Sequence, residues 1–416
     1  MDNTFDVAIV GAGMVGTTLA CLLAKQGFKI SLIDHGSLPN WQSGDENRVS
    51  ALNQGTIRIL QYIDTWSSIQ KKAACAYSKM RVWEEHSLAS ISFNAEELGY
   101  PDLGYIVDNN AVISTLGERL RQNYQVSIFE NKKINQLQVH DTSVSLEVEM
   151  NTDDRPDSTP ITDILQIRAN LAIGADGSQS IVRELCDIQT RFHDYEQQAI
   201  VTTVTLEGDH QNTAWQCFLD SGPVAMLPLQ DGRCSVVWSC DNEKANTLKQ
   251  LSDGDFCAGL SRVFQSSIGK VIHCSERRLF PIRQHHAEQY LAKRVALIGD
   301  AAHTTHPLAG LGANIGFMDA AVLAEIIQKA RANGKNIGNQ SILRRYERSR
   351  KGENARVLAL MKTMQKLFAS RYSGVKMARQ IGLDAVNQIP AIKNQLALHA
   401  MGLGGDVAEI CQSPHR

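Results

Sequence analysis

A chain of 416 residues can hold one large core or two domains, and its 43% hydrophobic and 21% charged residues are ordinary for a soluble globular protein. A formal net charge of −2 creates no global field of the kind that draws nucleic acid, so no nucleic-acid partner is expected. Nine cysteines are scattered without a C-x-x-C pair and read as reduced thiols of a cytoplasmic protein. The close histidine groupings, His285–His286 and His303–His306, lack a Cys or carboxylate set at ligand spacing, so no metal site is expected. No apolar run approaches the length of a membrane-spanning helix.

Residues 5–34 open with an apolar run, Val7 to Val10, that reads as a buried parallel strand. Gly11, Gly13 and Gly16 follow as G-x-G-x-x-G, with Met14 and Val15 between the last two. Leu19, Ala20, Leu22, Leu23 and Ala24 give a helix with one apolar face, and Gly27 ends it. A second strand, Ile30 to Ile33, ends at Asp34, which lies 18 residues after the third glycine. That is close to the spacing of about 20 in dinucleotide-binding units. Gly11 suits a tight turn, Gly13 a close approach of backbone to pyrophosphate, and Gly16 the packing of helix on strand. The helix N-terminus offers free N–H groups to phosphate, and Asp34 can accept from ribose hydroxyls. The stretch predicts an adenine dinucleotide and leaves NAD or FAD open.

Residues 36–50 read as a polar loop that delivers Arg48, and the run after it reads as helical, with Ile57, Leu60 and Ile63 on one face. Residues 78–107 look β-rich, 111–122 form an amphipathic helix, and 125–149 alternate like hairpin strands. Residues 151–160 make a polar turn before a strand that enters LAIGADG. Residues 190–280 are again β-rich, with Asp231-Gly232 as a hairpin signal and helix over 243–268. A buried strand at 294–300 leads to helices over about 312–332, 338–372 and 374–400. The predicted class is α/β: a Rossmann-like nucleotide-binding domain of 1–75, 104–188 and 282–345, a β-rich inserted domain of 76–103 and 189–281, and a helical region of 346–416.

Two further strand-end motifs complete the pattern. Asp176-Gly177 follows one apolar strand, with Ser180 and Arg183 after it, and Gly299-Asp300 follows another, before a Pro/Gly-rich loop and a helix. With GxGxxG, DG and GD in this order, the chain resembles the class A FAD-dependent aromatic hydroxylases of the para-hydroxybenzoate hydroxylase fold. The run from His306 to Gly316, HPLAGLGANIG, resembles the signature of the ubiquinone-biosynthesis group, and GYIVDN at 104–109 and ILRRYERSRK at 342–351 extend the likeness. Within that group the chain is most similar to the polyprenylphenol hydroxylases. It departs from the signature at Leu311, where the family carries Gln, which bears on the packing beside the flavin ring.

The resemblance implies roles. Gly11, Gly13, Met14, Val15, Gly16 and Asp34 would hold the ADP part of FAD, and Arg48 would contact the cofactor. Asp176 and Gly177 would serve the pyrophosphate and the use of NAD(P)H, and Asp300 would bind the ribityl chain. Pro307, Gly310, Gly312, Ala313 and Asn314 would lie by the ring, with a helix N-terminus facing its anionic edge. Pro307, Asn314 and His303 are candidates for a direct part in catalysis, with the flavin carrying the chemistry; for His303 and His306 the simpler reading is that they brace the loop. NAD(P)H would dock transiently as reductant and O2 would supply the hydroxyl oxygen, on the ring of a polyprenylphenol. Trp215, Phe218, Met226, Pro228 and Phe280 are candidates for the pocket or, equally, ordinary core. Residues 351–400 hold eight Lys/Arg against two Asp/Glu in an amphipathic pattern, which suits peripheral contact with the inner face of the cytoplasmic membrane or packing within the protein. A homo-oligomer, membership of a quinone-biosynthesis complex, a flavin-binding structural role in it, and a different aromatic substrate are the alternatives the resemblance leaves open.

Overall fold

The computed structural model describes residues 3–42, 48–85, 90–150, 163–304, 310, 312–369 and 389–412. The chain begins with strand β1 (Thr4–Val10), helix α1 (Met14–Lys25) and β2 (Ile30–Ile33). Next come β3 (Val49–Asn53), α2 (Gln54–Tyr62), α3 (Trp66–Ala73), β4 (Ala74–Tyr77), β5 (Lys79–Glu84) and β6 (Ser90–Asn94). They lead to β7 (Gly104–Asp108), α4 (Asn109–Arg121), β8 (Val126–Phe129), β9 (Lys133–Val139), β10 (Val144–Met150) and β11 (Asp163–Gly174). After α5 (Ile181–Leu185) run β12 (Thr190–Leu206), β13 (Thr213–Leu219), β14 (Gly222–Pro228) and β15 (Cys234–Asp241). Helices α6 (Asn242–Gln250) and α7 (Asp253–Ile268) precede β16 (Val271–Cys274), β17 (Arg278–Ala287), β18 (Leu291–Ala292), β19 (Val295–Leu297) and β20 (His303–Thr304). Helices α8 (Gly312–Ala332), α9 (Gln340–Ala369) and α10 (Pro390–Ala400) follow.

The first sheet runs β18-β19-β11-β1-β2-β8, with the β9–β10 hairpin attached through β10 to β11. β1 is its axis. It pairs in parallel with β2 and with β11, and β11 pairs in parallel with β19. The register sets Val10 beside both Ile33 and Gly174, and Gly174 beside Leu297. The C-terminal ends of four strands therefore coincide, and the Gly11 turn, Asp34, Asp176 and Asp300 all follow from one edge. In an open parallel sheet that edge is where ligands bind. The core explains the sequence pattern: β1, β2 and β19 are apolar because both faces are covered, and α1 packs against both α4 and α8.

The second sheet runs β20-β17-β12-β15-β14-β13-β5-β6. It is antiparallel except where β5 pairs in parallel with β13, and that pairing joins residues 79–94 to the later β-rich stretch. One face carries Trp83, Trp215, Met226, Val236 and Trp238, sealed by Phe256 and Phe264 of α7. The turn at Asp231-Gly232 joins β14 to β15, with Gly232 at φ 83°. At its other end β17 pairs with β20, so this sheet reaches the residues that follow Asp300. A small third sheet orders β3-β7-β4.

Two local expectations change. The run after Arg48 starts as a strand, because β3 pairs with β7 and only Asn53 turns the chain into α2, its side chain accepting the Thr56 N–H at 3.0 Å. β8 does not form a hairpin with β9; it adds to the parallel sheet beside β2, where Ile30, Leu32 and Ile33 are fully buried. The polar turn at 151–160 and most of the expected last helix lie outside the described residues.

Candidate active site

Two glycines of the first turn are each explained by a neighbour. Gly11 has φ 102°, and a Cβ there would lie 2.3 Å from the Ala175 carbonyl oxygen. A Cβ on Gly16 would lie 1.9 Å from the Gly11 oxygen. Gly13 differs: it is exposed, and a Cβ on it would meet nothing within 4 Å. It is the N-cap of α1, has no side-chain capping bond, and no acid follows in the first turn. The free N–H groups of that turn therefore face open space, as an anion site requires. Asp34, half-buried, is held at the rim: its Oδ2 accepts the Ala12 N–H at 2.5 Å and its Oδ1 the Gly36 N–H at 2.7 Å.

The DG turn is built by its own acid. Asp176 accepts from Ser180 Oγ at 2.5 Å and from the Val182 N–H at 3.1 Å, which fixes the start of α5. Burial raises its carboxyl above the usual range against the opposing pull of these bonds. Arg183 ties this turn to the next, donating to the Ala301 carbonyl at 2.9 Å and to the Ser178 carbonyl at 2.9 Å. Its Nη1 also lies 3.2 Å from Nε2 of His285, a ring that sits 2.9 Å from the Asp300 carbonyl. Burial and the nearby Arg183 charge lower the His285 imidazole to about 4.

Asp300 stands apart. Its side chain is exposed and makes no hydrogen bond or ion pair among the described residues, yet the surrounding protein desolvates it and raises its carboxyl, against the pull of His303 and Arg48. Arg48, also exposed, thus lies within electrostatic reach of Asp300 although 252 residues separate them in sequence. Val15 is wedged between the turn and α8: a Cβ would lie 3.3 Å from it at Gly299 and 2.7 Å from it at Gly316. Met14, Gly310, Gly312 and Ala313 are half-buried around the same crevice. Pro307, His306 and Leu311 lie outside the described residues.

Two candidates for a catalytic part are fully engaged by the protein. The Asn314 amide oxygen accepts the Asn53 N–H at 2.9 Å and the Thr56 hydroxyl at 2.8 Å. Its nitrogen donates to the carbonyls of Ala51 at 2.7 Å and Gly310 at 3.2 Å. Asn314 thereby clamps the start of α8 to β3 and α2. His303 is 1% exposed, with Nε2 2.6 Å from Oδ2 of Asp319. Asp319 and its partners on α9, Arg350 and Asn354, were assigned no role from the sequence, although Arg350 lies in the ILRRYERSRK run. The signal that could have found Asp319 is a lone acid in the apolar stretch GANIGFMDAAVLA.

An unpartnered carboxylate at one end of the strand edge, an uncapped helix start at the other, and an α8 N-terminus with no acid in its first turn together fit an FAD lying along that edge. Asp34 would take the ribose, α1 the pyrophosphate, Asp300 the ribityl hydroxyls, and α8 the anionic ring edge. Among the described residues no His/Cys/Asp/Glu group has the makings of a metal site.

The pocket candidates fall on different faces. Trp215 and Met226 point into the helix-covered cluster, Trp215 edge-on to Trp83 at 6.3 Å, and Pro228 is buried on the same alternation. Phe218 faces the other way and stacks on Phe368 of α9 at 3.8 Å. Phe280, 40% exposed, pairs in register with Ala199 away from the helix-covered cluster. On that face, which α9 meets around Phe218 and Val82, the residues Val201, Val237, Ala225, Gln216 and Val82 form one cross-strand row. All but Gln216 are half-buried apolar side chains, and Gln216 is a buried amide in their midst.

The model of the FAD binding domain family matches residues 4–360. The chain is 31% identical to 3-demethoxyubiquinol 3-hydroxylase of Escherichia coli (strain K12), over 96% of this chain and 98% of that protein. It is 32% identical to the mitochondrial ubiquinone biosynthesis monooxygenase COQ6 of Homo sapiens, over 96% and 93%. Among solved structures it resembles p-nitrophenol 4-monooxygenase PnpA from Pseudomonas putida DLL-E4, with a TM-score of 0.75, 19% identity and coverage of 96% and 98%, a likeness of fold.

Proposed function

The chain belongs to the FAD binding domain family, and from that membership we propose that it hydroxylates the aromatic ring of a polyprenylated quinone precursor in ubiquinone biosynthesis. It is an FAD-dependent monooxygenase. The observation that carries the substrate class is similarity to ubiquinone-biosynthesis hydroxylases along nearly the whole chain, both sheets included.

The overall reaction takes the ring C–H, O2, NAD(P)H and a proton to the ring C–OH, NAD(P)+ and water. Bound flavin supplies the hydride acceptor and the activation of oxygen. The chain's own residues supply position and electrostatics. Asp34 and the α1 N-terminus anchor the cofactor's adenosine and pyrophosphate end. Asp300 would hold its ribityl chain, and the N-terminal turn of α8 would favour negative charge on the ring. The face of the second sheet turned away from α7, along Val201, Val237, Ala225 and Leu227, offers the phenol an apolar surface. Excluding water there keeps activated oxygen directed at the substrate rather than released as peroxide. Gln216, the one amide in the row, is suited to orient the phenol oxygen. His303 is committed to Asp319 and is not free to act as a base.

The same reading brings the protein to a membrane surface as a peripheral visitor. No helix among the described residues is long and apolar enough to cross a membrane. Helix α10 turns Ile392 and Leu396 outward, 45% and 44% exposed, with Ile389 before them at 44%. Its Lys393 folds inward to Glu97 at 3.1 Å. This inverted arrangement, in a stretch with a surplus of basic residues, supports shallow contact with an anionic bilayer that holds the greasy substrate.

The deciding experiment is turnover of purified flavoprotein with NADH or NADPH, a short-chain polyprenylphenol and ¹⁸O2. One ¹⁸O atom in the product ring hydroxyl, with reductant consumption stimulated by the phenol, is the expected result. Peroxide formation without labelled product would refute the assignment.

A further inference from the structure

A buried acid links the flavin-facing turn to helix α9. Asp319 is 0% exposed within α8. Its Oδ2 accepts the Gly299 N–H at 3.1 Å and lies 2.6 Å from His303 Nε2. Its Oδ1 accepts from Arg350 Nε at 2.8 Å and from Asn354 Nδ2 at 3.1 Å. Arg350 Nη2 donates in turn to Asn354 Oδ1 at 2.8 Å. Burial alone would raise the Asp319 carboxyl, but the charges and hydrogen bonds of His303 and Arg350 outweigh it and hold the group down to about 2. Asp319 is thus a charged carboxylate, and its four partners are a turn, a short strand and two side chains of one distant helix.

The geometry brackets Asp300. Gly299, immediately before it, adopts φ 58° and is held by its N–H. His303, three residues after it, is held by its ring and paired across to His286 on β17. Between these two fixed points the Asp300 side chain stands unpartnered in the crevice. We propose that Arg350 is a positioning residue of the flavin site: through Asp319 it holds Gly299 and His303 on either side of Asp300 and so aims the Asp300 carboxylate at the cofactor's ribityl chain. The inference rests on the flavin assignment of Asp300 made above.

The reason lies in charge. A carboxylate with no exposure needs a fixed cation. Without the guanidinium, Asp319 is driven to take up a proton. A protonated carboxyl then presents a donor where Gly299 and His303 also donate, and the turn loses its fixed point. Lysine keeps the charge but not the paired reach to Asp319 and Asn354 that the guanidinium provides.

A double-mutant cycle on FAD affinity tests this, using Arg350→Lys, Asp300→Asn and both together, with Kd read by flavin fluorescence on titrating apoprotein and the flavin midpoint potential read on each holoprotein. Asp300→Asn alone is expected to weaken FAD binding by about tenfold or more, the scale of one hydrogen bond to a charged group. Arg350→Lys is expected to weaken it and shift the potential while circular dichroism stays that of the wild type. The double variant is expected to lose less than the product of the two single losses, because a misaimed Asp300 has less left to lose. Additive losses, or wild-type Kd and potential in Arg350→Lys, would overturn the proposal. An unchanged Kd in Asp300→Asn alone overturns the flavin assignment of Asp300 and the proposal with it.

Discussion

At the scale of single residues, the site is made by atoms with no room and atoms with no partner. Gly16 is of the first kind, since any Cβ would press on the Gly11 carbonyl within the dinucleotide turn. Gly16→Ala should destabilise the apoprotein by about 1–3 kcal/mol, the cost of overpacking a close-packed contact, and weaken FAD binding by moving the turn. Urea unfolding and FAD titration check the two effects separately. The buried histidines add a pH response. His285 and His286 are both lowered to about 4, each first by burial, then by Arg183 for His285 and by the His303 charge for His286. A folded-state pKa below the unfolded value of about 6.5 means the unfolded chain binds more protons in between. The stability these two rings contribute is therefore complete above about pH 6.5 and is lost as pH falls toward 4. Thermal unfolding followed from pH 7.5 to 4.5 should show the midpoint falling through that window, and His285→Gln should flatten the fall. An unchanged slope in that variant would place the acid sensitivity elsewhere.

At the scale of elements, legibility followed the range of the interactions that decide each one. The Gly11 turn, α1 and β2 lie within one thirty-residue stretch, so glycine spacing and apolar period suffice to read them, although the carbonyl that crowds Gly11 belongs to distant Ala175. Asp34, Asp176 and Asp300 were readable for the same reason: each lies within three residues of the end of a buried strand. β3 was not readable as a strand, because its partner β7 lies some fifty residues on and Asn53 starts α2 immediately after it. The Arg350–Asp319 pair was invisible as well, since nothing in either helix announces that two positions 31 apart will face each other. Trp215 and Phe218 sit three apart on one strand, and alternation sends them to opposite faces; a list of aromatic residues cannot say which face the helices will cover. Helix α9 shows what the faces mean for function. Its Arg350 reaches Asp319, which holds the Gly299 turn, while Phe368 and Met361 pack on Phe218 and Val82 of the second sheet. Phe368→Ala should cost about 3–5 kcal/mol if the site cannot collapse around the gap. Because the stack lies on the substrate sheet, FAD affinity should hold while KM for the phenol and peroxide leakage rise. A raised FAD Kd with unchanged KM would contradict that division of labour.

At the scale of the whole molecule, the question is how a protein without a described spanning helix meets a substrate that dissolves in lipid. The basic surplus of residues 351–400 pointed to a bilayer or to internal packing, and the described residues of that stretch include both buried and exposed apolar side chains. Leu358, Met361 and Phe368 are buried and spent on the protein's own core and second sheet, whereas Leu360, Ile389, Ile392 and Leu396 remain exposed. α10 is also anchored from behind: Asn53 donates to the Ala400 carbonyl at 3.0 Å and Gly55 to the Met401 carbonyl at 2.9 Å. Asn53 is itself bonded to Asn314 at the start of α8, so the helix with the outward apolar face is tied to the flavin end of the site. An apolar face anchored this way can rest on a membrane without loosening the fold. Truncating the C-terminus would confuse the two roles, whereas a surface exchange separates them. The double variant Ile392→Glu/Leu396→Glu should fold with wild-type thermal midpoint and FAD content, because both positions face solvent. It should bind vesicles of anionic phospholipid more weakly by about tenfold or more, since two aliphatic side chains, each just under half exposed, lose about half of the roughly 1.5–3 kcal/mol that full burial is worth and are replaced by repelled charges. Turnover of a short-chain soluble phenol should be unaffected, while turnover of a long-chain substrate presented in vesicles falls. Wild-type vesicle binding and long-chain turnover in that variant would show that the outward face of α10 is not what meets the membrane.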